Sequence, residues 1–371
     1  MDVEIDFLPV GENSQSGDAI ILRYGNLNGS RNEYSVVVID AGFRETGEQV
    51  VRYLADNYQT DHVDLIVSTH PDNDHSAGIL VLLEKISVGK IWMHKPWNHT
   101  ANISELFKHH AVSDAGVERT IKKSLQTVKT IEQLAEKMGV AIVEPFTGLR
   151  DEQGGLLVLG PDEEFYKNEL LPNFRCTPEP VDNSLAKIIS DELRKFTDSI
   201  KEFVDEKWEI ETLDHGGTTS AENNSSTILH LSVGEDHFLF TGDAGQPALE
   251  RVIVLLDSYN YDYSKIKLKQ VPHHGSHRNV NPLILDKLIG PKLPKEESEK
   301  VVKYVIVSVS KEENEKHPSK IVTNAYKRRG GPVYTTREGF KYYGSNNAPR
   351  RNAYGAVAPL PFFDKVEKHN D

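Results

Sequence analysis

The stretch Thr69-His70-Pro71-Asp72-Asn73-Asp74-His75 gathers four side chains able to bind a metal, His70, Asp72, Asp74 and His75, directly after the apolar run Val63-Asp64-Leu65-Ile66-Val67-Ser68. A β-branched run bounded by Pro and Asn predicts a buried strand that ends in a loop. Imidazoles and carboxylates crowded at a strand end repel one another or stay unsatisfied, and a divalent cation resolves that conflict. The plainer alternative is a polar surface loop that contains two histidines. Two later segments share the design. VGEDHFLFTGDAG (233–245) predicts a turn, an apolar strand at 237–240, then Asp243 between two glycines. IKLKQVPHHGSH (266–277) predicts an alternating strand followed by His273-His274-Gly275-Ser276. In each, glycine at the turn lets the backbone approach closely. Asp243 alone is also ordinary turn chemistry; three such strand ends in one chain argue for a shared centre.

The elements that must position these loops are short strands and helices in alternation. Strands are predicted over 3–8, 18–23 and 33–39, the last delivering Asp40. A helix over 45–57 turns Val50, Val51 and Leu54 inward. After the metal-type loop, a helix is expected over 76–84, then a strand at 90–93. The spacing of Val117, Ile121, Leu125, Val128, Ile131, Leu134 and Met138 predicts one helix over 117–138, stopped by Gly139. Short strands follow at 141–143 and 156–159. Leu185, Ile189, Leu193, Phe196, Ile200 and Phe203 lie at helical spacing in a charged run, an amphipathic helix within 182–208 that packs on the domain or serves as a lid or partner-binding helix. A polar loop at 292–300 precedes a strand at 301–309. By pattern alone the chain is mixed α/β.

With 371 residues and 38% apolar content the chain can bury a sizeable core. No run of about eighteen apolar residues occurs, and the acidic start Met1-Asp2-Val3-Glu4 lacks the basic region of a signal peptide, so a cytoplasmic protein without a membrane span is expected. One cysteine, Cys176, excludes an intramolecular disulfide framework and is read as an ordinary thiol. Walker-type, Rossmann-type and zinc-finger motifs are absent from the sequence. The net charge of −13 opposes duplex binding, which depends on neutralising phosphates. Two runs offer local basic patches: Lys265, Lys267 and Lys269 alternating along one strand, and Lys327-Arg328-Arg329. The acidic balance favours a small or single-stranded phosphodiester, or a protein partner or second copy that supplies binding surface.

The order of motifs resembles the metallo-β-lactamase superfamily, and within it the stand-alone counterpart of the ComEC/Rec2-like metallohydrolase domain. The resemblance rests on Val38-Ile39-Asp40-Ala41-Gly42, the 69–75 loop with Gly78, Asn223-Asn224-Ser225-Ser226, Leu239-Phe240-Thr241-Gly242-Asp243 and Val271-Pro272-His273-His274-Gly275-Ser276. His317-Pro318 and Val333-Tyr334-Thr335-Thr336 before Gly339 extend it to about residue 345. It implies an α/β fold, a four-layer αββα sandwich, as a single domain over 1–371 with a helical insertion at about 162–222 and an extension after about 345. It also implies one or two divalent ions, Zn²⁺ or Mn²⁺ with Mg²⁺ as a third option. One position would use His70, Asp72 and a bridging Asp243; the other Asp74, His75, Asp243 and His274. Asp72 stands where most of the superfamily has histidine, and a third histidine for the first position has no clear counterpart, Asn223 or Asn224 occupying that region. The second position is therefore the fuller, and the oxygen-rich first one favours harder ions.

The expected chemistry follows. A divalent ion lowers the pKa of bound water from about 15.7 to roughly 7, so the leading expectation is a metal-dependent hydrolase, a phosphodiesterase or nuclease working through a metal-bound hydroxide. Asp74, Asp243 and His317 are the expected catalytic residues, His317 as proton donor to the leaving oxygen. His273, Ser276 and Asn224 are expected to contact substrate, although the last two equally suit turn capping. The alternatives are a small-molecule ester, lactone or phosphonate hydrolase, and a catalytically silent partner-binding subunit.

Overall fold

The computed structural model describes residues 1–11, 15–107, 113–178, 203–311, 317–351 and 357–367. Most of the amphipathic stretch expected within 182–208 lies outside the described residues. The strands are β1 (Asp2–Phe7), β2 (Ala19–Gly25), β3 (Tyr34–Ala41), β4 (His62–Val67), β5 (Ser87–Trp92), β6 (Ala141–Val143), β7 (Leu156–Gly160) and β8 (Phe203–Asp205). They continue with β9 (Ile228–Val233), β10 (Asp236–Phe240), β11 (Ile266–Gln270), β12 (Tyr304–Val307), β13 (Val333–Thr335), β14 (Lys341–Gly344) and β15 (Lys365–Glu367). The helices used below are α1 (Arg44–Tyr53), α2 (Asn73–Ser76), α3 (Ile79–Lys85), α4 (Asp114–Ser124) and α5 (Gln126–Met138), then α6 (Ala221–Asn224), α7 (Gln246–Ser258), α8 (Pro282–Leu288) and α9 (Lys320–Arg328).

One sheet runs β14-β1-β2-β3-β4-β5-β6 and the other β13-β12-β11-β10-β9-β7, with a small β15-β8 ribbon beside them. The strand alternation explains the layers. Val37 and Ile39 of β3 point into the core between the sheets, where they join Phe7, Leu22 and Val67 from their own sheet and Leu229, Phe238, Phe240 and Leu268 from the other. Their neighbours Val36 and Val38 point outward, into a core built with Val50 of α1, Ile79 and Leu82 of α3, and Ile131 of α5. The second sheet is covered likewise, by Leu249 and Val252 of α7, Ile284 of α8 and Ile321 of α9. Period-two apolar strands buried on both faces require a helical layer on each side, which gives the αββα sandwich.

The expected long helix over 117–138 is two helices, broken at Leu125, whose backbone (φ −99°, ψ 49°) leaves the helical region. The apolar stripe runs on through the break, but α4 packs on the turns near residues 96–106 and α5 on α3, so the two halves follow different neighbours. The strand expected over 301–309 is shorter, β12, and Val301 and Val302 lie exposed ahead of it. Among the described residues no helix is long and apolar enough to cross a membrane.

Topology decides where the chemistry collects. β3, β4 and β5 are parallel, as are β10, β11 and β12. Their C-terminal ends therefore open at one edge of the sandwich. β2 runs antiparallel to β3, so the residue entering β2, Asp18, comes to the same edge.

Candidate metal centre

His70 and His75 leave β4 on a loop and the short helix α2, and both rings are buried. Asp40, at the end of β3, ties this loop down. It accepts from the Thr69 amide (2.8 Å) and the Thr69 hydroxyl (2.6 Å), and lies 2.8 Å from His75 Nδ1. That leaves His75 Nε2 facing Asp243, 3.4 Å from its Oδ1. Asp243 follows Gly242, whose φ of +49° would strain any other residue and whose packing on Thr69 Oγ1 and Ser226 would have to give to admit a side chain. Its amide donates to Ser226 Oγ at 3.0 Å.

The turn after β11 sets the remaining rings. His273 and His274 adopt φ of 48° and 54°, and Asp40 has φ of 55°, left-handed conformations that cost an L residue on the order of 1 kcal/mol or more each. Surrounding contacts hold them. His274 Nδ1 lies 3.0 Å from the Ser308 carbonyl, turning Nε2 inward to within 3.9 Å of both Asp74 and Asp243. His273 is held by Asn279 (3.1 Å) and Asn223 (3.2 Å), with Nε2 3.6 Å from Asp243 Oδ2. The His317 ring stacks beside His273, centroids 6.1 Å apart.

Protonation repeats this convergence. Burial disfavours a charged His75, but Asp243 and Asp40 together outweigh it and hold its pKa well above the ordinary range. Burial likewise opposes charge on His274, yet Asp243 and Asp74 raise it to about 9. Burial would raise Asp243, but His273, His75 and His274 bring it well below the usual carboxylate range. Against the burial that would raise it, contacts with His274 and His75 bring Asp74 down to about 2. Burial and the neighbouring His75 depress His70.

A divalent ion fits these residues. His70 Nε2, His75 Nε2, His274 Nε2, Asp243 Oδ1 and Asp18 Oδ1 are all buried without a hydrogen-bond partner. Such groups cost about 1–3 kcal/mol each when left so. Ligand atoms of Asp74, His75 and His274 lie within 4.8 Å of one another, as do those of Asp18, His75 and Asp243, and of Asp40, His70 and His75.

Asp72 does not join them. Its two oxygens accept from Arg175 Nη2 at 2.9 and 2.8 Å, and Arg175 is held on its other side by Glu222, 3.3 Å from Nε. Two expected substrate contacts also have other work. Asn224 is buried, donating to the Ser220 carbonyl (3.0 Å) and accepting from the Gly245 amide (3.2 Å), which pins the loop after Asp243. Ser276 caps the turn at His277–Asn279, accepting from the Arg278 amide. The asparagine that reaches the histidines is Asn223.

Both expected basic patches are broken up by the fold, which buries one residue of the first and two of the second. Lys269 is fully buried, donating to the Gln270 carbonyl (3.1 Å) and the Tyr326 hydroxyl (2.9 Å), while Lys265 and Lys267 pair with Glu235 and Asp236. Arg328 is buried against Glu206 at 2.7 Å, and Arg329 is held by Glu211 and, at 2.7 Å, by Asp286. Alternation told which side chains share a face, not that another layer covers it. Cys176 is half-buried, with burial pushing its thiol up, away from reactivity.

Sequence reasoning passed over Asp18. It is buried, accepts from Gln270 Nε2 at 2.8 Å, and is raised to about 6 mainly by burial. Its one signal is Ser16-Gly17-Asp18 before an apolar strand: a side chain on Gly17 would collide with the Asp74 carbonyl at 2.1 Å, so glycine lets this segment lie against the metal-type loop.

Residues 31–149 match the model of the metallo-beta-lactamase superfamily. That span holds Asp40 and the whole 69–75 loop, and the two-sheet sandwich around it has the layers of the metallo-β-lactamase fold. Among solved structures it is similar to the metallo-beta-lactamase fold protein YhfI from Bacillus subtilis, at 9% identity over 93% of this chain and 100% of that one, TM-score 0.40. It is also similar to a metal-dependent hydrolase of the β-lactamase superfamily, at 13% identity over 92% and 98%, TM-score 0.42. A long form RNase Z from yeast is similar at 10% identity over 91% of this chain and 41% of that one, TM-score 0.42. No curated protein matches the chain.

Proposed function

We propose that this chain is a metal-dependent hydrolase of phosphodiesters, acting on small or single-stranded substrates. The observation that carries the metal dependence is the set of buried, unpartnered nitrogens and oxygens of His70, His75, His274, Asp243 and Asp18 directed at one another. Asp74, His75, His274 and Asp243 would hold the ion, which when bound would supply Lewis-acid activation of water and of the scissile ester. Four aspartates around the histidines, Asp18, Asp40, Asp74 and Asp243, give the oxygen-rich surroundings that hard ions such as Mn²⁺ prefer. Asp40 and the Ser308 carbonyl fix which nitrogen of His75 and His274 faces inward. His273, half-exposed and braced by Asn223 and Asn279, stands where it can meet substrate oxygens, and His317 beside it can pass a proton to the leaving oxygen.

The ComEC/Rec2-like motif order supports phosphodiesters as the substrate class. The narrowing to small or single-stranded forms rests on the internal use of Lys269, Arg328 and Arg329 and the acid pairing of Lys265 and Lys267, which break up, among the described residues, the two basic runs that could have met a duplex. The test is a panel of single-stranded, duplex and small phosphodiesters with Mn²⁺ and with Zn²⁺. Cleavage should depend on added metal, favour single strands over duplex, and vanish in Asp243→Ala while the fold persists by circular dichroism. Efficient hydrolysis of lactones or carboxylic esters, with no phosphodiester cleaved under either metal, overturns the reading.

A further inference from the structure

The Asp72 carboxylate occupies a position in the 69–75 loop whose spacing suits a metal ligand, yet both its oxygens are bound to a protein cation. Arg175 Nη2 lies 2.9 and 2.8 Å from them. The arginine is itself fixed rather than free: its amide donates to Glu222 Oε1 at 2.6 Å, its Nε is 3.3 Å from Glu222 Oε2, and the preceding Phe174 is buried against Tyr166. Glu222 is buried in α6, next to Asn223, which braces His273. A guanidinium held between two carboxylates, one of them buried, is a built ion-pair network reaching across 103 residues of chain, unlike an isolated surface pair.

We infer that Arg175 is a built-in cation that withdraws Asp72 from metal binding and makes this a one-metal centre. This rests on the metal-hydrolase reading above. With Asp72 engaged, the expected first position retains His70 and Asp243, and Asp243 is shared with the other set; nearby Asp40 is committed to Thr69 and His75 Nδ1, and His273 to Asn223 and Asn279. Two ligands, one of them shared, fall short of the three or more protein ligands that divalent sites use. The Asp74, His75, His274 and Asp243 set has four. The guanidinium supplies positive charge where a second ion would otherwise be needed to balance the acidic loop, and, being permanently protonated, it does so at any working pH.

The experiment is metal counting on the full chain, by elemental analysis after desalting and by titration calorimetry with Mn²⁺, followed by electron paramagnetic resonance of the Mn²⁺ form. Wild type should bind one equivalent and give the spectrum of an isolated ion. Arg175→Ala, which frees Asp72, should take up a second equivalent and give an exchange-coupled spectrum, and Arg175→Ala with Asp72→Ala should return to one. Asp72→Asn keeps the loop's shape and should leave the single ion's affinity within the roughly 10-fold that even an indirect partner costs. That variant remains decisive if Arg175→Ala does not fold. Two equivalents in wild type, or loss of an equivalent in Asp72→Asn, overturns the inference and leaves the metal-dependent hydrolase intact. No binding at millimolar metal in wild type sinks the hydrolase reading itself.

Discussion

Replacing Lys269 with methionine should stabilise this protein at neutral pH, and by an amount that shrinks as the pH rises. The Nζ group is fully buried beneath α9, and burial depresses its pKa from 10.5 to about 7. In the unfolded chain the same amine stays protonated to about pH 10.4. Between about 7 and 10.5 the unfolded state therefore holds a proton that the folded state has lost, so wild-type stability rises with pH across that window. At about 1.4 kcal/mol for each pH unit, the depression corresponds to roughly 5 kcal/mol lost near pH 7. Methionine fills a similar volume without the charge. Against that gain stands the Tyr326 hydroxyl, which loses its donor at a cost of about 1–3 kcal/mol. The Gln270 carbonyl loses little, because the Thr241 hydroxyl still donates to it at 3.4 Å. The net expectation is about 2–4 kcal/mol of stabilisation at pH 7, falling by roughly 1.4 kcal/mol per unit toward pH 10. Urea unfolding of both proteins at pH 7, 8 and 9 measures it. A pH-independent difference, or destabilisation greatest at pH 7, would refute the burial argument; weaker substrate binding with unchanged stability would restore Lys269 to a binding surface.

Other outcomes test the centre and its supports. His274→Ala and Asp74→Ala should lose the retained ion while His273→Ala keeps it with altered activity, as read by elemental analysis; the reverse pattern for the two histidines would show the turn misassigned. Asp40→Asn removes the acceptor that orients His75 and should weaken metal affinity by about 10- to 100-fold in calorimetry without changing stoichiometry, and an unchanged affinity would sink that role. Arg328→Ala leaves Glu206 buried and uncompensated and should cost about 3–5 kcal/mol in urea unfolding. A stable variant whose nucleic-acid affinity has fallen would place Arg328 on a surface instead.

Ligand-type residues at strand ends are legible in a sequence because they break a local pattern: an apolar run must be buried, and the polar cluster that ends it must find partners. That reasoning reached the loop at 69–75, Asp243, the His273-His274 pair and the alternation of strands and helices, and the motif order added the sandwich. Local pattern does not say which residue of a cluster turns inward. Asp72 and Asp74 are equivalent by spacing, and only the arrival of Arg175 from beyond β7 separates them. Asp18 looked like the first residue of a strand, and becomes part of the centre because β2 lies antiparallel to β3. Lys269, Arg328 and Arg329 looked like surface charge, since burying a cation is costly unless distant groups complete it. Glu206 and Glu211 do so for the two arginines, Lys269 instead has its charge disfavoured beside Tyr326, and no neighbour in sequence announces any of these partners. Local pattern was enough to mark the candidate ligand types and the strands that carry them; contacts between segments far apart in the chain decided which of those side chains converge and which charges are buried.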